Sequence, residues 1–311
     1  MKFSLFAQSK KNTVSSTFHI SACPVCSSSQ FTVFTEVPDW LVSKEAYTIS
    51  QCNSCNFKFT SNAPTAENIG PYYNSEEYVE HSDTKSGVIY SVYHYARKLM
   101  LNFKLSKIKK STEGKKLLDV GSGSGYFINH MKQNGYDVTG VEISDKAVEL
   151  CKDKFGIHAK NPEEFLAGKL DTDYDIISLW HVFEHVYTYD EYFELFSKSL
   201  KKDGTLILAL PNSDSPDAKL YGKYWAAYDT PRHLWHFTPD TLSRFAEARG
   251  FKVVKKYRLP LDPFFNSMVS ASYKPGFTFL PISVLKGLYS LIISFFNKEK
   301  SSSLIYFLKK K

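Results

Sequence analysis

Two C-x-x-C pairs account for four of the five cysteines, Cys23-Pro-Val-Cys26 and Cys52-Asn-Ser-Cys55. In a reducing compartment, two such turns can point four thiolates at one point, which is the donor set of a structural zinc ion. A disulfide pair or a redox C-x-x-C is the alternative, but neither a signal peptide nor a surrounding βαβ pattern supports it. We therefore expect a zinc ribbon over residues 18–62, with Cys23, Cys26, Cys52 and Cys55 as the metal ligands.

A glycine-rich turn follows in the central part of the chain. Residues 116–125, KLLDVGSGSG, run from an apolar strand into Gly121, Gly123 and Gly125, and a helical segment comes next. The following strand, YDVTGVEIS, ends near Glu142. This order is typical of a nucleoside-binding βαβ unit, in which glycines let the backbone approach the ligand and the carboxylate accepts hydrogen bonds from the ribose hydroxyls.

The sixth position of the turn distinguishes two classes of nucleoside cofactor. A dinucleotide-binding turn has Gly or Ala there, whereas this chain has Tyr126, whose bulk opposes close helix-strand packing and argues against an NAD-dependent oxidoreductase. Residues 119–125, DVGSGSG, instead resemble the first motif of class I S-adenosylmethionine-dependent methyltransferases, D/E-x-G-x-G-x-G. The later apolar segments agree with that fold and are expected as strands at 174–180, 204–211 and 251–259, with an antiparallel last strand at 303–310.

The resemblance implies an α/β fold with a doubly wound, seven-stranded Rossmann-like sheet over residues 111–311 and an apolar insertion at about 262–300. It implies S-adenosyl-L-methionine as the cofactor, with the glycine turn near the methionine part and Glu142 on the ribose. The cofactor-binding residues that it implies are Asp119, Gly121, Ser122, Gly123, Gly125, Glu142, Asn161 and Trp180. The N-terminal part resembles a bacterial subgroup that carries a zinc ribbon and then a tyrosine-rich helical connector, here residues 63–110.

A second cluster of polar side chains follows the strand at 174–180. His181, Glu184 and His185 have i, i+3, i+4 spacing, so one helical turn would place them together at the carboxyl end of the sheet, where α/β proteins bind ligands. The spacing resembles the E-x-x-E-H of quinone-pathway O-methyltransferases, where it is associated with a divalent metal, although His181 replaces the first Glu. A second divalent metal at His181, Glu184 and His185 is therefore one interpretation. The other is a Glu-His pair that shapes the cofactor pocket without a metal.

Residues 229–237, DTPRHLWHF, belong to a 26-residue segment (212–237) that lacks periodicity. Loops of this length are usually functional or disordered, and its many aromatic residues oppose disorder. We expect it to wall the acceptor site, with His181 and His233 as candidate catalytic proton acceptors, because a neutral histidine suits that task near pH 7. The candidate substrate-binding residues are Arg232, His236 and Tyr228. Core packing of His236 and Trp235 is the alternative.

Composition limits the function further. The 311 residues are 43% hydrophobic and 23% charged, with a formal net charge of +7, which is ordinary for a globular protein. No clustered basic surface interleaved with aromatics is evident, so a nucleic-acid partner is not expected. We expect methyl transfer to oxygen of a small molecule, a sugar or a lipid-linked acceptor. An RNA methyltransferase guided by the ribbon, or a nucleoside-binding module without catalysis, is the alternative.

Two features of the chain bear on location. The apolar run at the N-terminus spans five residues, too short for a signal peptide, so a cytoplasmic protein is expected. The segment 275–297 is apolar but broken by Pro281, Lys286 and Gly287, and a spanning helix needs ~20 consecutive apolar residues. With its flanking lysines, the region 275–311 could contact a membrane peripherally. Packing on the catalytic domain or on a second copy is the alternative.

Overall fold

A computed structural model describes residues 17–73, 88–274, 276 and 280–311. Parts of the predicted connector (74–87) and of the apolar segment (275 and 277–279) lie outside these residues. The N-terminal unit is an antiparallel sheet of β1 (Phe31–Pro38), β2 (Ala46–Cys52) and β3 (Lys58–Thr60). The second C-x-x-C pair connects β2 to β3, so the sheet holds that pair in place.

The central sheet contains six strands within the described residues, in the order β5-β4-β6-β7-β10-β9. Their bounds are β4 Lys116–Val120, β5 Asp137–Val141, β6 Tyr174–Trp180, β7 Leu200–Pro211, β9 Phe251–Arg258 and β10 Ser303–Lys310. The strands β5, β4, β6 and β7 are parallel to one another, and β10 runs antiparallel to both of its neighbours, β7 and β9. This is the expected α/β sheet with its antiparallel last strand. The expected seventh strand is reduced to a single bridge between Val141 and Lys160.

Helices cover the sheet and connect its strands. They are α1 Val88–Lys109, α2 Tyr126–Gln133, α3 Asp145–Phe155, α4 Pro162–Leu166, α5 Tyr189–Ser199, α6 Pro216–Tyr221, α7 Pro239–Glu247, α8 Asp262–Tyr273 and α9 Leu280–Phe296. Short 3-10 turns occur at Gly70–Tyr73, Phe183–His185, Gly222–Tyr224, Ala226–Tyr228 and Lys298–Lys300. Several of these helices begin directly after a capping residue. Ser144, Ser215 and Thr238 each cap a helix by accepting a hydrogen bond from a backbone N–H of its first turn.

The core lies on both faces of the central sheet. Leu206, Ile207, Leu208 and Ala209 are successive residues of β7 and all are fully buried. A strand covered on both faces has no polar side, which is why the sequence shows an unbroken apolar run there rather than alternation. Because β4, β5, β6 and β7 are parallel, their carboxyl ends meet at one edge of the sheet, where the loops that carry the polar residues begin.

The long loop after β7 joins the two units of the protein. It forms α6, two 3-10 turns and a short strand, β8 (Trp235–His236), which pairs with β3 of the ribbon. The N–H of Thr60 also donates to the carbonyl of Leu234 (2.9 Å). Two residues of the segment predicted as an irregular acceptor wall, Trp235 and His236, thus form the fourth strand of the ribbon sheet.

Candidate cofactor and acceptor site

The four ribbon cysteines lie together and fit a zinc ion. The Sγ atoms of Cys23 and Cys55, and those of Cys26 and Cys52, are each 3.5 Å apart, and all four lie within 4.8 Å of one another. A tetrahedral zinc with Zn–S bonds of about 2.3 Å places its sulfurs roughly 3.8 Å apart, so the cluster needs little adjustment. None of these cysteines forms a disulfide in the described residues. This arrangement agrees with the predicted metal set.

The glycine turn after β4 has an open backbone face. A Cβ on Gly121 would come within 2.3 Å of Val182, and one on Gly125 within 2.1 Å of Cys151, so the protein itself occupies that side at both positions. Around Gly123 the described residues leave open space, with no heavy atom within 4 Å of an added Cβ. A ligand can therefore approach the turn at Gly123, as the nucleoside-binding pattern requires.

Glu142 lies beside this open face. Its Oε2 accepts from the N–H of Gly123 (2.7 Å) and its Oε1 from the N–H of Ser144 (2.9 Å). Each carboxylate oxygen can accept a second hydrogen bond, so the side chain is oriented by the protein and can still receive two hydroxyl donors. The geometry fits a ribose.

Two buried polar atoms near the turn have no hydrogen-bond partner among the described residues, Ser122 Oγ and Trp180 Nε1. Buried polar groups are normally satisfied, so unpartnered ones beside an open glycine turn fit a bound ligand. Asp119 differs, because its Oδ1 already accepts from Ser178 (2.6 Å). Burial raises the pKa of Asp119 to about 7, although Ser178 and Lys104 oppose the shift.

Lys104 and Asn161 are two further polar residues near the carboxyl ends of β6 and β5. Lys104 of α1 lies with its Nζ 4.0 Å from the centre of the Trp180 ring, and burial lowers its pKa to about 8. Lys104 could not be predicted from the sequence, because it is one of several lysines on α1 and shows no distinctive spacing. Asn161, one of the predicted cofactor-binding residues, caps α4 by accepting from the N–H of Glu163 (2.8 Å). Its role toward the cofactor stays a prediction.

His181 follows β6 with a left-handed backbone (φ 56°). Its Nδ1 lies 3.5 Å from Glu184 Oε1 and its Nε2 lies 3.3 Å from Asp262 Oδ2. Burial acts to lower the pKa of His181, but the two carboxylates outweigh it and raise the pKa to about 10. The imidazole is therefore charged at neutral pH, which does not favour its predicted role as proton acceptor. Asp262 gave no signal in the sequence, since it stands at the start of the apolar insertion.

His233 has the orientation that a proton acceptor needs. Its Nδ1 contacts the carbonyl oxygen of Ala227 (2.9 Å), and because a carbonyl only accepts, we assign the proton to Nδ1. The Nε2 atom then carries the lone pair and lies 3.8 Å from Asp229 Oδ2 and 4.0 Å from Glu184 Oε1. Both carboxylates can stabilise the positive charge that proton uptake creates.

Glu184 is fully buried, and neither carboxylate oxygen has a hydrogen-bond partner among the described residues. Burial acts to raise its pKa, but the neighbouring histidines outweigh this and hold the pKa below its usual value. His185 lies beside it, with Nδ1 3.1 Å from the carbonyl oxygen of Arg232, and burial lowers the pKa of His185 to about 4. The site thus contains a buried carboxylate anion next to a neutral imidazole.

Three of these side chains could hold a metal ion. Glu184, His185 and His233 each offer a ligand atom, and these atoms lie within 4.8 Å of one another. The predicted set was His181, Glu184 and His185, so the structure replaces His181 by His233, because His181 is turned toward Asp262. Two imidazoles held by main-chain carbonyls and one carboxylate form a donor set typical of zinc and other divalent metals.

The three predicted substrate-binding residues are buried. Arg232 is 1% exposed and its guanidinium donates to Asp39 (3.0 Å), to Asp229 (2.6 Å) and to the carbonyl of Tyr72 (3.0 Å). His236 and Tyr228 pack edge to face. The Nε2 of His236 lies 3.1 Å from Thr60 Oγ1. These contacts favour the alternative of core packing, here against the ribbon, over direct contact with an acceptor.

A family model described as "Methyltransferase domain" matches residues 92–256, which is more than half of the chain. The chain belongs to this family. It is 30% identical over 128 residues to a ubiquinone biosynthesis O-methyltransferase of Pelagibacter ubique, a match that covers 37% of this chain and 49% of the relative. A protein of the same name from Nitrosomonas europaea is 25% identical over 205 residues, covering 57% of this chain and 85% of that one.

The chain therefore spans about half the length of the first of these relatives. Magnesium protoporphyrin IX methyltransferase of Synechocystis PCC 6803 is a solved structure that aligns with 77% of this chain and 97% of its own, at 14% identity and a TM-score of 0.49. The family match confirms the methyltransferase resemblance drawn from DVGSGSG. Among the described residues, no helix is long and apolar enough to cross a membrane.

Proposed function

We propose that the protein transfers a methyl group from S-adenosylmethionine to a hydroxyl oxygen of a small molecule. The observation that carries the proposal is the adjacency of two groups. The glycine turn packs against Val182 at Gly121, and Val182 lies between His181 and Glu184 in the chain. A cofactor at the turn would therefore sit next to the cluster of imidazoles and carboxylates.

Bound S-adenosylmethionine would supply an electrophilic methyl group on a sulfonium. The residues that would hold it are Glu142, through the ribose hydroxyls, and the unpartnered polar atoms of Ser122 and Trp180. Asp119 is buried in β4 just before the turn, and the half-buried Lys104 attracts its carboxylate. Methyl transfer gains most from alignment of the two reactants and from exclusion of water, and both are tasks for a buried site.

We assign proton removal from the acceptor hydroxyl to His233. The Ala227 carbonyl fixes its Nδ1–H, so Nε2 can accept the proton, and Glu184 and Asp229 stabilise the resulting imidazolium. Arg232 would act as a positioning residue, since its guanidinium holds Asp229 in place. His181, charged at neutral pH, would balance the buried Glu184 carboxylate.

A divalent cation at Glu184, His185 and His233 is the alternative use of the same side chains. A cation bound there would lower the pKa of an acceptor hydroxyl and would occupy the imidazole lone pairs. The two assignments differ in one observable. Elemental analysis of the purified chain would find a second metal ion, absent from His185→Gln, if the cation is bound there, and only the ion of the four cysteines if His233 acts alone.

The relatives support oxygen as the acceptor atom, because their names describe O-methylation in ubiquinone biosynthesis. The test is to incubate the purified protein with S-adenosylmethionine and a panel of hydroxylated small molecules, with total RNA as a separate acceptor, and to measure S-adenosylhomocysteine formation. We expect turnover on hydroxylated small molecules. Transfer to RNA alone would contradict the proposed acceptor class.

His233→Gln should lower kcat by about 10²–10⁴-fold, the usual contribution of a general base. Affinity for S-adenosylhomocysteine should stay unchanged, because the imidazole is needed only for the acceptor. His158→Gln, at an exposed histidine, is the matched control. Equal turnover of the two variants would refute the assignment of His233.

A further inference from the structure

Helix α9 buries its small and polar residues and exposes its large apolar ones. The side that packs on the protein carries small residues: Ser283, Gly287, Ser290 and Ser294 are the buried positions of the helix. Ser290 donates to Asp217 of α6 (2.7 Å), and a Cβ on Gly287 would come within 2.9 Å of the backbone of Phe264 in α8. The helix is therefore held against α6 and α8 at close range by its small residues.

The outward side of α9 is apolar along its whole length. Its exposed hydrophobic side chains are Leu280, Val284, Leu285, Leu288, Tyr289, Ile292, Phe295 and Phe296. Phe295 is 64% exposed and Phe296 is 88% exposed. A surface helix normally turns such a stripe to the core, and contiguous exposed apolar patches mark interaction sites. Phe265 and Met268 of α8 add to the exposed apolar surface.

The charge around this stripe is mainly positive, and Glu299 beside its C-terminal end is paired with Lys256 (2.6 Å). No acidic residue occurs between positions 263 and 298, whereas Lys274, Lys286 and Lys298 do. The guanidinium of Arg258 lies 4.2 Å from the centre of the Phe295 ring, which places another cation at the end of the helix. Cations at both ends of an apolar stripe complement a surface that offers anionic groups above a hydrocarbon layer.

We propose that the outward face of α9 docks on the surface of an anionic phospholipid bilayer, with the helix lying in the plane of the interface. A helix of 17 residues is about 25 Å long, and it is fixed along its length to α6 and α8, so it lies on the membrane rather than crossing it. A second copy of the chain fits the face less well. Both ends of the stripe are basic, so two copies would oppose like charges in either the parallel or the antiparallel orientation.

The docked face is connected to the acceptor side of the protein. Helix α8 begins at Asp262, which contacts His181, and α9 packs on α8. Docking through α9 would therefore hold the acceptor site close to the lipid surface. The docking proposal itself is independent of the catalytic assignment, because it rests only on the face and its charges.

The test is flotation of the purified full chain with vesicles of phosphatidylcholine, alone or with about a third phosphatidylglycerol. We expect binding to the anionic vesicles, weaker binding to the neutral ones, and release at high salt. The double variant Leu285→Glu/Ile292→Glu should lower the bound-to-free ratio by about tenfold or more. Val33→Glu/Val254→Glu, which adds the same charges at exposed apolar positions elsewhere, should bind like the original chain.

Failure of the original chain to bind either vesicle would overturn the proposal, as would equal binding of the two double variants. Sedimentation of the same proteins without lipid tests the remaining occupant. A stable dimer that the Leu285→Glu/Ile292→Glu pair dissociates, together with no vesicle binding, would assign the face to a second copy instead. Circular dichroism and thermal unfolding of each variant establish that a loss of binding is not a loss of fold.

Discussion

Substitution of Arg232 tests how the ribbon is joined to the catalytic domain. Its guanidinium bonds to Asp39 of the ribbon and to Asp229 of the loop, and both Arg232 and Asp39 are almost completely buried. Removing one partner of a buried ion pair costs about 3–5 kcal/mol, because the remaining charge has no compensation. We therefore expect Arg232→Leu to lower the free energy of unfolding by that amount near neutral pH.

The free energy of unfolding of Arg232→Leu should also depend on pH in a defined direction. Burial acts to raise the pKa of Asp39 and of Asp229, but in both cases Arg232 and neighbouring hydrogen bonds outweigh it and lower the pKa. In the original chain these carboxylates stabilise the fold at every pH above their unfolded pKa, and that contribution is lost only as the pH falls through their lower folded pKa values. Asp39 keeps its backbone hydrogen bonds from Val42 and Ser43 without Arg232, but Asp229 loses the guanidinium that opposes its burial. The folded pKa of Asp229 should therefore rise above its unfolded value, and the variant should lose stability as pH increases.

The assay is urea unfolding followed by tryptophan fluorescence at pH 5 and pH 7.5. The deficit of Arg232→Leu should be larger at pH 7.5, by about 1–2 kcal/mol. Arg244→Leu is the matched control, since Arg244 forms an exposed pair with Asp240 that is worth about 0–1 kcal/mol. A deficit for Arg232→Leu no larger than that of the control, or one that does not grow with pH, would refute the buried network.

Three further outcomes follow from the site. Cys52→Ser should lower turnover through the loop while affinity for S-adenosylhomocysteine is kept, because the ribbon pairs with β8 and not with the glycine turn; loss of cofactor affinity in calorimetry would contradict this. Gly125→Ala should lower the unfolding midpoint or abolish folding, since its φ is 82° and the new Cβ would meet Cys151 at 2.1 Å; an unchanged thermal midpoint would contradict it. Glu184→Gln should lower the pKa of His181 below about 10, measured by NMR titration, because one of its two carboxylate neighbours is neutralised; an unchanged pKa would show that Glu184 does not act on it.

The signals for a cofactor site are local in the sequence. The glycines and the acid at 142 are close in the chain, and each has a role that one residue type serves best. The two C-x-x-C pairs were predictable for the same reason. The strands at 174–180, 204–211, 251–259 and 303–310 were predictable from apolar segments that agree with the family resemblance, whereas no such segment indicated where a seventh strand would lie.

The contacts of the predicted acceptor residues could not be predicted, because their partners are distant in the chain. Arg232 and Asp39 are 193 positions apart, and nothing in DTPRHLWHF shows that a ribbon carboxylate will take up the guanidinium. The pairing of β8 with β3 could not be predicted either, because β8 has only two residues. His181 was predicted as a proton acceptor from its residue type. Its charge state is set by Glu184 and by Asp262, and Asp262 lies 81 positions later in the chain, in α8.

We expect the turn at residues 119–125 and Glu142 to bind S-adenosylmethionine. Isothermal titration of the purified chain with S-adenosylhomocysteine and, separately, with NAD tests it most directly. We predict binding of S-adenosylhomocysteine, no measurable binding of NAD, and a roughly 10–100-fold weaker affinity in Glu142→Ala from loss of charged hydrogen bonds. Binding of NAD without S-adenosylhomocysteine, or an unchanged affinity in Glu142→Ala, would contradict the account.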